Sequence, residues 1–308
     1  KKKLEQLNPK INKFYKKFKL VLIKKISGEK FVAAVSGGSD SLCLAYFSKI
    51  YTSEFKNKAH IVIVDHKLRK ESYAEALNVK KILKKKKIKS TILSWKGKVP
   101  KSNIQKNARN IRYSLISNYC LKNNIKYLLT AHHTDDQIEN FFIRLLRGSG
   151  LTGLSSMSES TKLNDNLNVV RPFLNLKKKD LKFVTLSFFK TYIKDPSNDD
   201  EKFLRVRIRK YRNIMEKEGL HTNKIIKTIN NLLSANKALN YYKSKALQKH
   251  VSFLSKKKCL INKKIFSEEA SEIIFKSFSD LLSLVSGQYY PPRSKKVLNL
   301  IGFMKRKK

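Results

Sequence analysis

Acidic residues are scarce in this chain. Its 308 residues include 23 Asp and Glu against 68 Lys and Arg, a net charge of +45. Such a balance argues against cationic partners and points to a polyanion such as nucleic acid, bound with an affinity that falls as salt rises. Cysteine is equally sparse. Cys43, Cys120 and Cys259 lie far apart, with no Cys-x-x-Cys pair. That disfavours a structural zinc site or an iron–sulfur cluster and fits reduced thiols in a cytosol. No run of about 18 apolar residues occurs, so no membrane partner is expected. The basic opening Lys1-Lys2-Lys3-Leu4-Glu5 lacks the apolar stretch and cleavage site of a secretion signal, and the expected setting is cytoplasmic. Neither G-x-x-x-x-G-K-[ST] nor G-x-G-x-x-G is present, which disfavours the P-loop NTPases and the dinucleotide-binding enzymes.

The hydrophobic fraction, 41%, is enough for a real core. The length suggests two domains. Short apolar runs, Phe31–Val35, His60–Val64, Thr91–Trp95 and Tyr127–Ala131, read as strands of a buried parallel sheet. Helical spacings lie between and after them. Ile104, Ala108, Ile111, Leu115 and Tyr119 form one stripe; Ile138, Phe141, Phe142, Leu145 and Leu146 form another. Strand–helix alternation predicts a doubly wound, mainly parallel α/β sheet. Residues 158–170 read as a polar loop. Helices are expected over roughly Lys177–Phe189 and Glu201–Glu218, with a turn at Asp195–Asn198 between them and Gly219 as a stop signal. From residue 221 the pattern turns mostly helical. Residues 221–308 carry 19 basic and 4 acidic side chains and form the expected second, smaller domain. The division is thus an N-terminal basic helix over 1–28, a sheet domain over 29–220 and a basic helical domain over 221–308. The lysine runs Lys84–Lys87, Lys177–Lys179 and Lys256–Lys258 read as solvated faces.

Chemistry concentrates in three places. The string Ser36-Gly37-Gly38-Ser39-Asp40-Ser41 directly follows the first strand and opens a helix. Glycines there permit positive φ and close backbone approach, Ser39 or Ser41 can cap the helix, and its first N–H groups make an anion site. Asp40 would repel a bare phosphate; a Mg2+ ion between carboxylate and phosphates gives it a reason. The second cluster is Ala131-His132-His133-Thr134-Asp135-Asp136-Gln137-Ile138-Glu139-Asn140. Thr134 and Gln137 have capping-box spacing, so a helix is expected to start there, with Asp135, Asp136 and Glu139 in its first turns. It follows a strand and therefore sits at the sheet end where ligands bind in open α/β folds. The third is Arg147-Gly148-Ser149-Gly150-Leu151-Thr152-Gly153-Leu154. It shares with the first loop five of the chain's ten glycines.

Ser-Gly-Gly-x-Asp-Ser after an opening strand resembles the PP-loop ATP pyrophosphatases, with their adenine nucleotide alpha hydrolase-like fold. The string from Ala131 to Leu154 is more specifically similar to the tRNA(Ile)-lysidine synthetase family. Val64-Asp65-His66-Lys67-Leu68-Arg69, Ala108-Arg109-Asn110-Ile111-Arg112-Tyr113, Arg171-Pro172-Phe173, Asp195–Asn198 and Arg205-Val206-Arg207-Ile208-Arg209 follow in the family's order, over roughly residues 30–220. Two departures stand out: Val206 where the family usually has Asn, and Asn140 where it usually has Thr.

The resemblance implies a ligase that uses ATP to adenylylate the C2 oxygen of the wobble cytidine in tRNA(Ile) with a CAU anticodon. Free lysine then displaces AMP. Carried over by position, Ser36, Gly37, Gly38, Ser39 and Ser41 would hold the pyrophosphate and Asp40 the Mg2+. Asp65 and His66 would lie against adenine and ribose, and Arg112, ahead of Arg109, would contact a phosphate. Asp136 and Glu139, with Asp40 and His133, are the implied catalytic groups. Arg205, Arg207, Arg209 and Arg212 would meet tRNA phosphates; 205, 209 and 212 share one helical face. A PP-loop tRNA thiolase and a ligase of the NAD synthetase type are the alternatives. The first is disfavoured by the cysteine pattern, the second by the basic tail.

Overall fold

The structure, a computed structural model, describes residues 8–68, 71–97, 104–155, 157–194, 200–255, 257–287 and 292–306; Arg69, the Asp195–Asn198 turn and Lys256 lie outside them. The chain divides into two compact units, one of residues 1–148 and 156–226, the other of 149–155 and 227–308. The first unit thus gives up a short internal segment, residues 149–155, to the second.

The first unit opens with helix α1 (Pro9–Ile26), started by the Asn8 side chain, which accepts from the Lys10 N–H, and by Pro9 in the first turn. Ile11, Phe14, Tyr15, Phe18, Leu22 and Ile26 recur at helical spacing and are all buried. Helix α1 is therefore bound into the sheet unit by its main core. Each fully buried aliphatic or aromatic side chain there contributes about 1.5–3 kcal/mol.

Next come β1 (Phe31–Ala34), α2 (Ser39–Phe55), β2 (Ala59–Asp65), α3 (Ser72–Lys85), β3 (Ser90–Ser94), α4 (Ile104–Lys122), β4 (Tyr127–Leu129) and α5 (Thr134–Leu145); the single turn α6 (Leu151–Leu154) comes next in the chain but belongs to the second unit. Then follow β5 (Ser160–Asn164), β6 (Leu167–Val170), α7 (Lys178–Phe189) and α8 (Leu204–Lys217). The strands form one sheet in the order β3-β2-β1-β4-β6-β5, parallel except for the β5–β6 hairpin. Alternate residues of β1 and β2 serve opposite faces. Phe31, Ala33, Ile61 and Ile63 join α1, α2, α3 and α7; Val32 and Val62 join Ile116 and Cys120 of α4. Helices on both faces are the doubly wound arrangement expected from the sequence.

The chain runs outward from β1 to β3 and then returns to the other side of β1 as β4, so the order reverses between β1 and β4. Crevices at such reversals, outside the carboxyl ends of the strands, are where open α/β sheets bind ligands.

Residues 158–170 are not the expected loop. They form the β5–β6 hairpin, turned where the Asn164 side chain accepts from the Asn166 N–H at 3.1 Å. Leu167, Val169 and Val170 are buried because β6 pairs with β4. The polar strand β5 is the sheet edge, and its composition hid it. In the second unit, α9 (Thr222–His250), which begins in the first, leads into a hairpin of β7 (Val251–Ser255) and β8 (Lys258–Ile261). The helices α10 (Ile265–Glu268), α11 (Ser271–Ser286) and α12 (Ser294–Arg306) follow. Ile265, Ile274, Phe278, Val297 and Ile301 make its core. The expectation of a mostly helical unit stands, with a hairpin added.

Candidate functional site

Strand β1 runs into Ser36-Gly37-Gly38 and α2 begins at Ser39. Gly37 has φ +90°, and a Cβ there would come within 2.5 Å of Val79 Cγ2 and 3.1 Å of Ile193 Cδ1. Only glycine satisfies both demands. Its carbonyl accepts from the Ile193 N–H at 2.9 Å. Gly38 is different. A Cβ on it would meet only Ser36 Oγ, at 4.0 Å, so its surroundings are open. Glycine at that position keeps the space before the helix clear.

The expected serine cap is not how α2 starts. Gly38 is the cap residue, with no side-chain bond. Ser41 instead pins the loop: its Oγ accepts from the Ser36 and Gly37 N–H groups, both at 3.1 Å, and donates to the Gly38 carbonyl at 3.0 Å. Ser39 Oγ donates to Asp40 Oδ1 at 3.0 Å. The N–H groups of Ser39, Asp40 and Ser41 occupy the first turn, where a helix offers no internal acceptor, and they suit an anion in the cleared space. Thr185 of α7 fixes this turn from behind, donating to the Ser39 carbonyl at 2.6 Å.

The second cluster follows β4. Its helix α5 starts one residue earlier than the sequence spacing implied. His133 is the cap: its Nδ1 accepts from the Asp136 N–H at 3.4 Å, and Asp136 Oδ2 accepts from the His133 N–H at 3.0 Å. Thr134 and Gln137 are not the capping pair, because both donate to the Leu174 carbonyl, at 2.9 and 3.0 Å. They dock α5 on the segment after Arg171-Pro172-Phe173.

His133 joins the two loops. Its Nε2 lies 3.4 Å from Asp40 Oδ2 and 3.5 Å from Asp136 Oδ2, and its Nδ1 lies 3.8 Å from Asp135 Oδ2. Burial disfavours the charged ring, but the hydrogen bond to Asp40 and the charges of Asp136, Asp40 and Asp135 outweigh it and raise the pKa. As the cap, the neutral ring keeps a lone pair on Nδ1 and carries its one proton on Nε2, between Asp40 and Asp136. His132 differs. Burial first, then the charges of Arg171, Arg109 and Arg205, push it down to about 4 despite Asp136, and it is neutral. Its Nδ1 pairs with Thr130 Oγ1 at 2.9 Å.

The remaining acids have partners. Glu139 is buried and held by Arg209, Nε to Oε1 at 2.6 Å and Nη2 to Oε2 at 3.3 Å. Asp135 Oδ1 accepts from Arg212 Nη1 at 2.6 Å, and Oδ2 accepts from the Lys178 N–H at 2.9 Å. Burial opposes ionisation of Asp135, yet these bonds hold its pKa below the usual carboxylate range. Arg209 and Arg212 are thus turned inward on α5. Arg207 folds back on the Glu201 and Lys202 carbonyls, at 2.8 and 3.1 Å, and Arg205 is exposed.

Asp65 ends β2 and is buried. Its Oδ1 accepts from Ser72 Oγ at 2.6 Å and from the Lys67 N–H at 3.1 Å, while Oδ2 has no partner among the described residues. His66 accepts from the Leu68 N–H at 3.3 Å. Arg112 is exposed on α4, and Arg109 lies over the Tyr113 ring at 5.0 Å. Val206 is buried as an apolar residue of α8, and Asn140 Nδ2 is buried without a partner among the described residues. Among the described residues no three His, Cys, Asp or Glu are arranged to hold a metal alone. Asp40 beside an anion site nevertheless suits Mg2+, which takes one or two carboxylates and completes its shell with phosphates and water. Thr185 and Ile193 gave no sequence signal, since they reach the loop from some 150 positions away.

A glycine turn, open helix-start amides and a carboxylate-rich neighbour at the sheet's reversal point define an α/β nucleotide-binding protein. The profile of the PP-loop domain family matches residues 4–217. The chain belongs to that family. It is 35% identical over 283 residues to the tRNA(Ile)-lysidine synthase of Orientia tsutsugamushi, covering 88% of this chain and 63% of that protein. It is 36% identical over 263 residues to the enzyme of the same name from Wolbachia pipientis wMel, covering 84% and 61%. The chain therefore spans about three fifths of these relatives' length. The U34-tRNA thiolase NcsA of Methanococcus maripaludis, solved with its [4Fe-4S] cluster, has the same fold, with a TM-score of 0.59, 18% identity and coverage of 72% and 80%. No helix among the described residues is long and apolar enough to cross a membrane.

Proposed function

We propose that this chain binds ATP on the 36–41 loop and activates the wobble cytidine of a CAU-anticodon tRNA(Ile) for attack by free lysine. The observation that carries this reading is the meeting of Asp40 and Asp136 on His133 beside the open amides of α2. Binding alone would not require two carboxylates so close to a phosphate site. The names of the relatives supply the substrate class, and the net charge of +45 agrees with an RNA partner.

In the reaction, the Ser39, Asp40 and Ser41 amides hold the departing pyrophosphate, and Ser41 keeps the loop in shape. Mg2+, carried by Asp40 with the phosphates, would neutralise charge developing on the leaving group. The C2 oxygen of cytidine attacks the α-phosphorus and pyrophosphate leaves. The lysine amine, once deprotonated, adds at C2 and AMP leaves. Asp136 is the better placed of the acids to take that proton, because Glu139 is already bound to Arg209. Asp65, with one oxygen unpartnered, would take a hydroxyl of the ribose.

The test is ATP- and Mg2+-dependent incorporation of labelled lysine into tRNA(Ile) with a CAU anticodon, yielding AMP and pyrophosphate. Formation of ADP and phosphate, or turnover with a sulfur donor in place of lysine, would refute the reading.

A further inference from the structure

Beyond the catalytic cluster, the first unit contains a groove of about 560 Å3 between the start of α7 and α8. One wall presents Lys177, Lys178, Lys179 and Lys182; the other presents Arg212 and Thr222. Its two carboxylates, Asp135 and Glu216, both face Arg212, at 2.6 and 3.5 Å. Thr222 Oγ1 accepts from Arg212 at 2.7 Å and donates to Glu216 at 3.1 Å. That side of the groove is internally satisfied. The four lysines are not: among the described residues none has a carboxylate within ion-pair distance, although Asp180 lies in their own helix. Lys182 only overlies the Tyr192 ring, at 5.8 Å.

Lysine is common in this chain, so a lysine-lined surface alone means little. Here, however, five of eight lining residues are basic, where about a fifth of the whole chain is. Ammonium groups gathered in one concavity repel one another, and among the described residues no carboxylate pairs with any of these four. The missing partner is an anion. Lys178 and Lys182 lie on one helical face, separated by a rise of about 6 Å, comparable to the separation of neighbouring phosphates on a nucleic-acid strand. The groove is also too large for a single phosphate. It adjoins the catalytic cluster through Asp135, which binds Arg212 with one oxygen and lies 3.8 Å from His133 with the other.

We propose that this groove holds consecutive backbone phosphates of the RNA strand beside the nucleotide being modified. The proposal rests on the reading that RNA is the substrate. Lysine ammonium groups contact phosphate as point charges and read no sequence, so the groove sets position and not base identity. It gives the Lys177–Lys179 run a use other than that of a solvated face.

The test replaces Lys177, Lys178, Lys179 and Lys182 together with Gln in the full chain and measures tRNA affinity across a salt series. Each single-strand phosphate contact contributes about 0.7 to the slope of log affinity on log salt. The variant should flatten that slope by about 2 to 3, with ATP affinity unchanged within about twofold. A matched variant, Lys80, Lys81, Lys84 and Lys85 to Gln on the exposed side of α3, removes the same charge and should alter the slope by less than about 1. Equal slopes for the two variants would overturn the proposal. So would loss of pyrophosphate affinity in the groove variant with its tRNA slope intact, since the groove would then serve a free phosphate. If lysine incorporation fails with every tRNA while the slope still flattens, the groove stands as an RNA site and the lysidine reading falls.

Discussion

Three carboxylates lie within 4 Å of the His133 ring, and they are not equivalent. Asp135 is gripped by Arg212 and Glu139, on the same helix, by Arg209, whereas Asp136 feels Arg209 only at a distance. A carboxylate bound to a guanidinium is a poor base. Asp136→Asn is therefore expected to cost about 100-fold or more in turnover, with the melting temperature little changed. Glu139→Gln should show the opposite pattern. It leaves Arg209 facing a neutral amide in a buried place and should destabilise by about 1–3 kcal/mol, while activity per folded molecule stays within about tenfold. Kinetics and denaturant unfolding on both variants decide; a catalytic collapse in Glu139→Gln with stability intact would reverse the assignment. Asp135 adds a pH test. Its folded pKa is depressed, so the stability it contributes is present above the ordinary carboxylate range and is lost as pH falls through the folded value. Asp135→Asn should be less stable than the parent at pH 7, and the gap should close as pH falls below about 4. The sequence showed the acids on one helical face. It could not show that arginines some 70 positions later would take two of them, because periodicity reports a face and not its neighbour.

At the scale of elements, the two glycine-rich strings turn out to be built differently. In Ser36–Ser41 the backbone itself demands glycine at 37. Gly37→Ala would meet Val79 and adopt a strained φ, and should both destabilise the chain and weaken ATP binding, measured by unfolding and by nucleotide titration. In the string from Arg147 to Leu154, only Gly148 has positive φ, +64°; Gly150 caps α6 with ordinary backbone angles. What holds that segment is polar. Lys276 of α11 is buried and donates to Thr152 Oγ1 at 2.7 Å and to Asn236 Oδ1 at 3.4 Å; Asn236 Nδ2 reaches Ser155 Oγ at 3.4 Å. These bonds make residues 149–155 part of the second unit. Lys276→Met and Thr152→Val should each cost about 1–2 kcal/mol, and the double variant clearly less than their sum, because they remove one shared interaction. Additive costs would show that the contact carries no energy. Nothing in the sequence pointed to Lys276. A lysine within an apolar helical stripe reads as a solvated residue, and only the tertiary fold reveals the hydroxyl and amide that receive it. The β5–β6 hairpin escaped notice for a related reason: an edge strand that packs few side chains has no apolar alternation to betray it.

For the whole molecule, the net charge of +45 should make salt act in opposite directions on two properties. Within the folded chain, like charges outnumber their partners. Pairs such as Arg209 with Glu139 and Arg212 with Asp135 neutralise few of 68 cations, and most lysines among the described residues are exposed. Added salt screens that repulsion over a Debye length of about 10 Å at 0.1 M, so the melting temperature should rise between low and moderate ionic strength. A gain of 1 kcal/mol would appear as roughly 2–4 °C for a chain of this size. On the proposed function, affinity for tRNA should fall over the same range, because released counterions would drive that association. Simple aggregation or general destabilisation would move both quantities the same way. Melting curves and filter binding in matched buffers separate the cases. A melting temperature that falls with salt would mean that ion pairs, and not repulsion, dominate the surface, and the excess of lysine would then need an explanation other than a polyanionic partner.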